Sequence, residues 1–303
     1  MIRSHAVESE GREQHWAVVA NPAAGRGRGE RALAAARIAL AEAGVPVVCV
    51  RTRDLEHARA AATVAAGEGG TVVAVGGDGL VGAVAAAVAG TSGVLGIVPA
   101  GRGNDFARSL GVPLDAAAAS RTLLRARSRR VDVGEIDGRP FVGIASVGID
   151  AEANRLANAG PPLPDPAVYA VAGVRALLRW RHATFEVEVD GTTNAFRGFA
   201  VGVGNSPFYG GGMRLLPDAR VDDGLLDVAC FGADNRLRFL RQIPQRRVAG
   251  HAANPTVSFR RGTVVRIAAD RPMAVYADGE PIGALPTTAT VRPRALRVLV
   301  PAS

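Results

Sequence analysis

Lysine is absent from this chain of 303 residues, and all 36 of its basic residues are arginine. A P-loop of the G-x-x-x-x-G-K-[ST] type requires a lysine, and so does any reaction that proceeds through a Schiff base. The sequence therefore excludes both classes of protein. The net charge is nevertheless +8, which favours a negatively charged partner, either nucleic acid or an anionic membrane surface.

Cysteines, aromatic residues and long apolar runs are also scarce. The two cysteines, Cys49 and Cys230, fall in apolar runs, so we expect buried, reduced thiols in a cytoplasmic protein. Aromatic residues make up 5% of the chain, and no zinc spacing or RNP-like motif occurs, so we expect no nucleic-acid partner. No apolar run reaches the roughly 18 residues of a membrane-spanning helix. Residues 1–14 are polar, so we expect a flexible N-terminus without a signal peptide.

The first part of the chain alternates β-rich runs with alanine-rich segments of helical length. The predicted elements are strands at 15–20, 45–50, 71–75 and 93–99 and helices at 29–43, 55–66 and 80–89. This alternation predicts a Rossmann-like, doubly wound α/β domain over residues 15–130. In such sheets, ligands bind beyond the carboxyl ends of the strands.

The turn after the third predicted strand is the most informative segment. Gly76-Gly77-Asp78-Gly79 follows a strand and begins a helix, an arrangement that brings backbone N–H groups to a phosphate. Asp78 adds a carboxylate, which repels phosphate unless a cation such as Mg²⁺ lies between them. Two further glycine-bearing loops, 21–27 and 99–105, follow other strands and are expected at the same sheet edge. We interpret the turn as a metal–nucleotide site.

The pattern changes after about Arg130 to short strands and turns, which predicts a β-sandwich domain over 131–290. A C-terminal strand at about 291–303 is assigned to the first domain. The predicted strands are 139–149, 184–190, 196–205, 225–231, 263–268, 273–278 and 295–300, and the predicted helices are 166–180 and 235–248. The second helix is basic and amphipathic, so it could contact a membrane or pack on the sandwich.

Six short motifs follow one another along the chain. They are Asn21-Pro22-x-x-Gly25, Gly76-Gly77-Asp78-Gly79, Pro99-x-Gly101-x-x-Asn104-Asp105-Phe106-Ala107-Arg108, Val131-Asp132-Val133-Gly134, Pro217-Asp218-Ala219-Arg220-Val221-Asp222-Asp223-Gly224-Leu225-Leu226-Asp227 and Asp278-Gly279-Glu280. In this order they closely resemble the diacylglycerol kinase catalytic-domain family, the lipid kinases that include the sphingosine and ceramide kinases. The resemblance extends from about Trp16 to the end of the chain.

The resemblance implies ATP- and Mg²⁺-dependent transfer of the γ-phosphoryl group to a lipid hydroxyl, with diacylglycerol as the first candidate acceptor and phosphatidic acid as the product. It also implies an NAD kinase/diacylglycerol kinase-like fold, with the active site in the cleft between a Rossmann-like domain and a β-sandwich. The expected location is cytoplasmic, at the inner face of the membrane, where the lipid substrate lies in an anionic surface. A homodimer is compatible with the sequence.

The resemblance carries specific roles to matching positions. The nucleotide-binding residues would be Asn21, Pro22, Gly25, Thr52, Gly76, Gly77, Asp78, Gly79, Gly101, Arg102, Asn104 and Asp105. The catalytic residues would be Asp78, Asp278 and Glu280, with one of the last two accepting the proton of the lipid hydroxyl. Asp78 and Asp132 would belong to a carboxylate–water–metal network, and Asp223 would hold a metal with the carbonyls of Arg220 and Leu225.

Some positions depart from the family pattern, and they keep alternatives open. Leu80 replaces a threonine, Gly82-Ala83 replaces Asn-Glu, and Arg102 and Ala24 replace hydroxyl residues. Arg102, with Arg26 and Arg28, is a candidate for phosphate contacts. The alternatives are a kinase for another lipid, an NAD kinase with the same glycine turn, or a non-catalytic nucleotide- or lipid-binding protein. Gly77–Gly82 also matches G-x-G-x-x-G, but the acidic residue expected after the next strand is missing.

Overall fold

The computed structural model describes residues 16–25, 27–159, 165–235 and 256–302. Strands and helices alternate in the first part of the chain: β1 (Trp16–Ala20), α1 (Arg28–Glu42), β2 (Val47–Arg51), α2 (Leu55–Gly67), β3 (Thr71–Gly76), α3 (Asp78–Val88), β4 (Val94–Pro99), α4 (Asp105–Ser109) and α5 (Ala116–Leu123). The predicted strands and helices of this region are therefore present, with ends shifted by a few residues.

Strands dominate the rest of the chain. These strands are β5 (Arg127–Ile136), β6 (Arg139–Phe141), β7 (Ile144–Gly148), β8 (Ala183–Val189), β9 (Thr192–Gly204), β10 (Phe208–Tyr209), β11 (Met213–Arg214), β12 (Leu226–Gly232), β13 (Val257–Gly262), β14 (Val264–Ala269), β15 (Ala274–Ala277), β16 (Glu280–Ala284) and β17 (Thr287–Val300). Two helices, α6 (Ile149–Ala159) and α7 (Asp165–Arg179), lie between β7 and β8. No described helix has both the length and the apolar character needed to cross a bilayer.

The first four strands form a parallel sheet in the order β4-β3-β1-β2. Every residue of β3 is buried, because helices cover both faces of the sheet and a continuous apolar strand suits such a position. The carboxyl ends of β1, β3 and β4 consequently lie side by side at one edge. This edge is where the sequence places the three glycine-bearing loops.

The second group of strands is antiparallel and has a core of its own. Its main path runs β16-β15-β7-β9-β8-β14-β17, and the β12–β13 pair joins at β9. Strand β8 alternates buried and accessible residues, which is the pattern of a strand with one face against a core. Phe141, Phe185 and Leu226 are among the largest fully buried side chains of this second core.

Strand β17 connects the two groups of strands. It pairs with β14 near its start, where Thr290 faces Val264, and with β4 near its end, where Val298 faces Leu95. It also pairs with β5 along most of its length. The strand is longer than the predicted 295–300 because it begins at Thr287. The proposed domain limits, 15–130 with 291–303 and 131–290, stay a prediction.

Several predictions from the sequence require correction, and others concern residues outside the described part of the chain. Cys49 is exposed, whereas Cys230 is buried as expected. The reason is that β2 is the last strand of the sheet and leaves part of its surface to solvent. The predicted strand 139–149 is divided into β6 and β7, which flank residues 142–143. Residues 1–15 and nearly all of the predicted helix 235–248 lie outside the described residues.

Candidate active site

Three glycine-bearing loops touch each other at the carboxyl ends of β1, β3 and β4. A Cβ atom at Gly101 would lie 2.3 Å from the Cα atom of Gly77, so these two loops meet backbone to backbone. A Cβ atom at Gly25 would lie 2.5 Å from the carbonyl oxygen of Ala100. Gly25 also has a φ of +57°, a value that favours glycine. The close approach of the loops therefore depends on residues without side chains.

The loop after β1 is fixed by short-range hydrogen bonds. The Asn21 side chain accepts the Ala23 N–H at 3.0 Å, and the Asn21 N–H donates to the Val75 carbonyl at 3.2 Å. The Arg28 Nε donates to the Gly25 carbonyl at 3.2 Å. Thr52 lies beside this loop, since its hydroxyl donates to the Ala20 carbonyl at 3.0 Å.

The remaining predicted nucleotide contacts of this region differ in accessibility. Pro22 is partly exposed and Arg102 is exposed, so both can reach a ligand at the loop surface. Arg26 lies outside the described residues. Leu80, which stands where the family has a threonine, is buried in the core of the α/β part. A phosphate at this turn would thus meet backbone N–H groups rather than a hydroxyl at position 80.

Asp78 is the first residue of α3, and its carboxylate is directed toward the loop after β4. One oxygen accepts the Asn104 N–H at 2.7 Å, and the other accepts the Asp105 N–H at 2.6 Å. Asn104 has a φ of +54°, and its side chain accepts the Gly101 N–H at 2.8 Å. Burial raises the pKa of Asp78 above its ordinary range, and the N–H donors oppose this shift. Asp78 therefore holds the third loop against the second.

Asp105 continues this chain of contacts into the second part of the protein. Its carboxylate accepts the N–H groups of Gly211 and Gly212, at 3.0 Å and 2.7 Å. Burial, followed by repulsion from Asp78, raises the pKa of Asp105 to about 6. The loop that it binds is absent from our sequence predictions. The sequence nevertheless contains a feature that predicts this loop, because a run of three glycines at 210–212 is typical of backbone with positive φ.

Asp278 lies in the turn between β15 and β16, with a φ of +52°. Its carboxylate accepts the Val142 N–H at 3.0 Å and the Gly143 N–H at 2.8 Å. It also lies against α3, since a Cβ atom at Gly82 would be 3.0 Å from its Oδ2 atom. Although the residue as a whole is partly accessible, desolvation of the carboxyl group raises its pKa to about 7. The nearby carboxylates Asp78 and Asp105 add to this shift.

Glu280 begins β16 directly after this turn and faces the start of α3. A Cβ atom at Gly79 would lie 3.3 Å from the Glu280 Oε1 atom. Burial raises the pKa of Glu280, and the Arg59 guanidinium partly offsets this effect. Because Asp78 is on α3 as well, the predicted catalytic carboxylates of both parts of the chain gather around the first turns of one helix.

The other predicted acidic residues form a second cluster around the turn at 220–225. Asp132 is fully buried, and its oxygens accept the Gly224 N–H at 2.6 Å and the Arg294 N–H at 2.7 Å. Its backbone N–H donates to the Val221 carbonyl at 2.7 Å. The structure thus places Asp132 with this turn, where it orders the backbone of the predicted metal loop.

Asp223 is the predicted metal ligand of this turn, and a guanidinium lies directly on it. Its Oδ1 atom accepts the Leu225 N–H at 3.2 Å, while its Oδ2 atom pairs with Arg261. The Arg261 Nε atom is also 3.0 Å from Asp227. Arg220 is exposed beside them. In the described part of the chain, no group of three or more His, Cys, Asp or Glu side chains could hold a metal ion. A cation at Asp223 would therefore have to compete with Arg261.

Replacement of Arg261 should show whether the turn at 220–225 binds Mg²⁺ when no guanidinium competes for Asp223. In the presence of a chelator, Arg261→Gln should lower stability by about 1–2 kcal/mol, because Asp223 and Asp227 lose their positive neighbour in a partly exposed site. Added Mg²⁺ should then raise the Tm of this variant more than that of the unmodified protein. Arg266→Gln is the control, since Arg266 forms an exposed pair with Glu188 on a neighbouring strand. Equal responses of both variants to Mg²⁺ would argue against a metal at this turn.

Two protein-family models together match nearly the whole chain. The family model for the diacylglycerol kinase catalytic domain matches residues 15–136, and the model for the YegS C-terminal NAD kinase β-sandwich-like domain matches residues 143–300. A diacylglycerol kinase from Mycobacterium tuberculosis is 33% identical over 289 residues, covering 93% of each chain. A Pseudomonas aeruginosa protein named "Probable lipid kinase YegS-like" is 32% identical over 284 residues, covering 92% of each chain.

A solved structure gives the same result for the fold. The crystal structure of a diacylglycerol kinase from Bacillus anthracis superposes with a TM-score of 0.73 at 20% identity, covering 95% of this chain and 97% of that one. The likeness confirms the predicted fold class, an α/β domain followed by a β-sandwich.

Fold and relatives together define a lipid kinase, so the protein is an enzyme. The chain belongs to the diacylglycerol kinase catalytic-domain family, which confirms the resemblance seen in its motifs. The roles of individual site residues stay predictions.

Proposed function

We propose that this enzyme transfers the γ-phosphoryl group of ATP to a hydroxyl of diacylglycerol and thereby forms phosphatidic acid, with Mg²⁺ as the accompanying metal. The observation that carries the proposal is the position of the Asp278 carboxylate. This carboxylate lies against α3, the helix that begins in the glycine turn, and burial raises its pKa to about 7. A general base is most effective when its pKa lies near the working pH.

The proposed step is a direct displacement at phosphorus. The acceptor hydroxyl loses its proton to the Asp278 carboxylate while its oxygen forms a bond to the γ-phosphorus, and the bond from that phosphorus to the ADP oxygen breaks. Phosphoryl transfer depends mainly on positioning and on neutralising the charge of the phosphate oxygens. The backbone N–H groups of the first turn of α3 would supply part of that neutralisation. Glu280, the first residue of β16, is the alternative base.

A divalent metal fits the nucleotide loops better than it fits the turn at 220–225. Both Asp78 oxygens accept one N–H each, and an ionised carboxylate retains further lone pairs for a cation. Mg²⁺ is usually held by one or two carboxylates together with substrate phosphates. When bound, it would neutralise charge on the transferred phosphoryl group.

The test is transfer of labelled γ-phosphate from ATP to a panel of acceptors in mixed micelles. The panel contains diacylglycerol, monoacylglycerol, ceramide and sphingosine, with NAD as a soluble acceptor and an Asp78→Ala protein as the inactive reference. Label in diacylglycerol that depends on Mg²⁺ and disappears in the variant is the expected result. Label in another lipid or in NAD would replace the proposed acceptor. ATP binding without any transfer would favour a non-catalytic protein.

A further inference from the structure

Helix α7 presents an apolar surface to solvent in the described part of the structure. Val171, Val174 and Leu178 have exposed fractions of 44%, 43% and 67%. Their spacing of three and four residues places them on one face of the helix. The residues that attach α7 to the core, Ala172, Ala176 and Leu177, are buried on the other face. We call the three exposed residues the α7 ridge.

Arginines border the α7 ridge on one side and at its end. Arg175 and Arg179 are exposed and follow the ridge residues by one position each, so they lie on the adjacent strip of the helix surface. Beyond the C-terminus of α7 is an open cavity of about 560 Å³, whose lining includes Arg155, Arg179, Arg181, Arg271, Trp180 and Tyr276. The surface thus combines an apolar strip with a concentrated positive charge.

Among the side chains that the structure describes around the cavity, arginines outnumber carboxylates. Glu152 pairs with Arg155 at 2.7 Å, and Asp270 lies 3.9 Å from Arg271. The described residues of the cavity lining and the ridge border include five arginines beside these two carboxylates, counting Arg175, Arg179 and Arg181. The Arg271 guanidinium also lies 5.1 Å from the centre of the Trp180 ring, which keeps it at the mouth of the cavity. A ligand for this surface must be negatively charged and must offer apolar contact.

We propose that the α7 ridge and its arginines form a docking surface for an anionic phospholipid bilayer. The apolar side chains enter the boundary between headgroups and acyl chains, while the arginines contact phosphate groups, which is how basic amphipathic helices bind membranes. This inference rests on the proposed function, since a lipid kinase must reach an acceptor in a membrane. A second copy of the chain fits less well, because an isologous contact pairs one surface with itself and would offer no added acidic partner to the arginines beside the ridge.

Strand β15 connects this surface with the turn that holds the proposed acceptor base. Ala274 and Tyr276, which line the cavity, belong to β15, and the strand leads directly into the turn that holds Asp278. Gly148 of β7, the strand paired with β15, also lines the cavity. The cavity lies at the start of β15 and Asp278 follows the end of this strand, so the length of one short strand separates the docking surface from the proposed base.

Vesicle binding without nucleotide tests the docking surface separately from catalysis. We expect the protein to sediment with vesicles that contain phosphatidylglycerol and much less with pure phosphatidylcholine vesicles. Leu178→Glu should weaken binding at least about tenfold, since an apolar contact becomes a buried charge. Arg175→Glu/Arg179→Glu should weaken it to a similar extent, because each arginine near the surface contributes about 1 kcal/mol.

Matched variants on the opposite part of the protein provide the controls. Val64 on α2 has the same exposed fraction as Leu178, 67%, so Val64→Glu should bind vesicles normally. Arg31→Glu/Arg37→Glu changes two exposed arginines of α1 and is the control for net charge. Equal binding by the α7 variants and their controls would overturn the proposal. A dimer that Leu178→Glu converts to a monomer, with vesicle binding unchanged, would assign the ridge to a second copy instead.

A soluble acceptor separates the two proposals. Leu178→Glu should phosphorylate a monomeric short-chain diacylglycerol at the rate of the unmodified protein, while its rate on vesicle-embedded diacylglycerol falls at least about tenfold. Loss of both rates with an intact fold would contradict a role restricted to docking. Absence of transfer by every protein, the unmodified one included, would reject the proposed function and leave the vesicle-binding result to decide the docking surface.

Discussion

Replacement of Asp278 by asparagine should reduce phosphoryl transfer by about 10²–10⁴-fold, the usual contribution of a positioned general base. The amide cannot accept the hydroxyl proton, although it occupies nearly the same volume. In the unmodified enzyme, kcat/KM should rise with pH and level off above about 7, where the carboxyl group is ionised. Steady-state rates on micellar diacylglycerol between pH 5 and pH 9 would show both effects.

Asp137→Asn is the matched control for this substitution. Asp137 also precedes a glycine in a hairpin turn and has a φ of +47°, but its carboxylate binds Thr287 and Thr288. Its replacement should leave the rate and the pH profile close to those of the unmodified enzyme. An Asp278→Asn protein that retains more than a tenth of the activity would exclude Asp278 as the base and direct attention to Glu280.

The same carboxyl group should make stability depend on pH. Its pKa is about 7 in the folded protein, raised from an ordinary value of 3.8, so between these values the folded state holds a proton that the unfolded chain releases. The free energy of unfolding should therefore fall as the pH rises from about 4 to about 7, by roughly 2–4 kcal/mol for this group. Asp105 and Asp227, each with a pKa raised to about 6, act in the same direction. Denaturant titrations at a series of pH values should show that the free energy of unfolding changes less with pH in Asp278→Asn than in the unmodified protein. An equal change with pH in both proteins would contradict burial of this carboxyl group.

Gly101→Ala should weaken ATP binding by about tenfold or more, equivalent to at least 1.4 kcal/mol. The new methyl group would lie 2.3 Å from the Gly77 Cα atom, and neither backbone can move aside without separating the two loops. The contacts that Asn104 and Asp105 make with Asp78 would be displaced together with the loop. Calorimetric titration with ATP and the KM for ATP measure the effect directly.

Gly67→Ala gives the reference for this glycine substitution. Gly67 ends α2, and a Cβ atom there would meet no atom within 4 Å. Its replacement should leave ATP affinity unchanged and could stabilise the protein slightly by restricting the unfolded chain. If Gly101→Ala bound ATP as tightly as this control, the contact between the second and third loops would have no part in the nucleotide site.

The elements that the sequence identified are those whose signal is local. Strand β3 and helix α3 are marked by a continuous apolar run, a glycine turn and an alanine-rich segment, so their order and limits were predictable. The orientation of Asp78 was not, because its partners are N–H groups at positions 104 and 105, on another loop. Sequence alone predicted a carboxylate separated from a phosphate by a cation, whereas the structure shows one that accepts N–H groups of a neighbouring loop.

Long-range contacts account for most of the other differences. The exposure of Cys49 follows from the edge position of β2, which depends on the strand order and not on the residues around it. Arg261 reaches Asp223 from a strand that begins more than thirty positions later in the chain, so no motif could reveal the pair. The environment of Asp278 likewise requires Val142 and Gly143, two residues that the sequence placed inside a strand.

The place of β17 has a consequence for how the protein is made. This strand leaves the ribosome after every strand with which it pairs, yet it lies between β14 and β4 in the sheet and also pairs with β5. Until it emerges, β4 and β14 have unpaired edges, and such edges invite aggregation. Neither group of strands can complete its sheet early, so folding should finish only after β17 has emerged. A premature stop within β17 would accordingly damage both groups of strands at once.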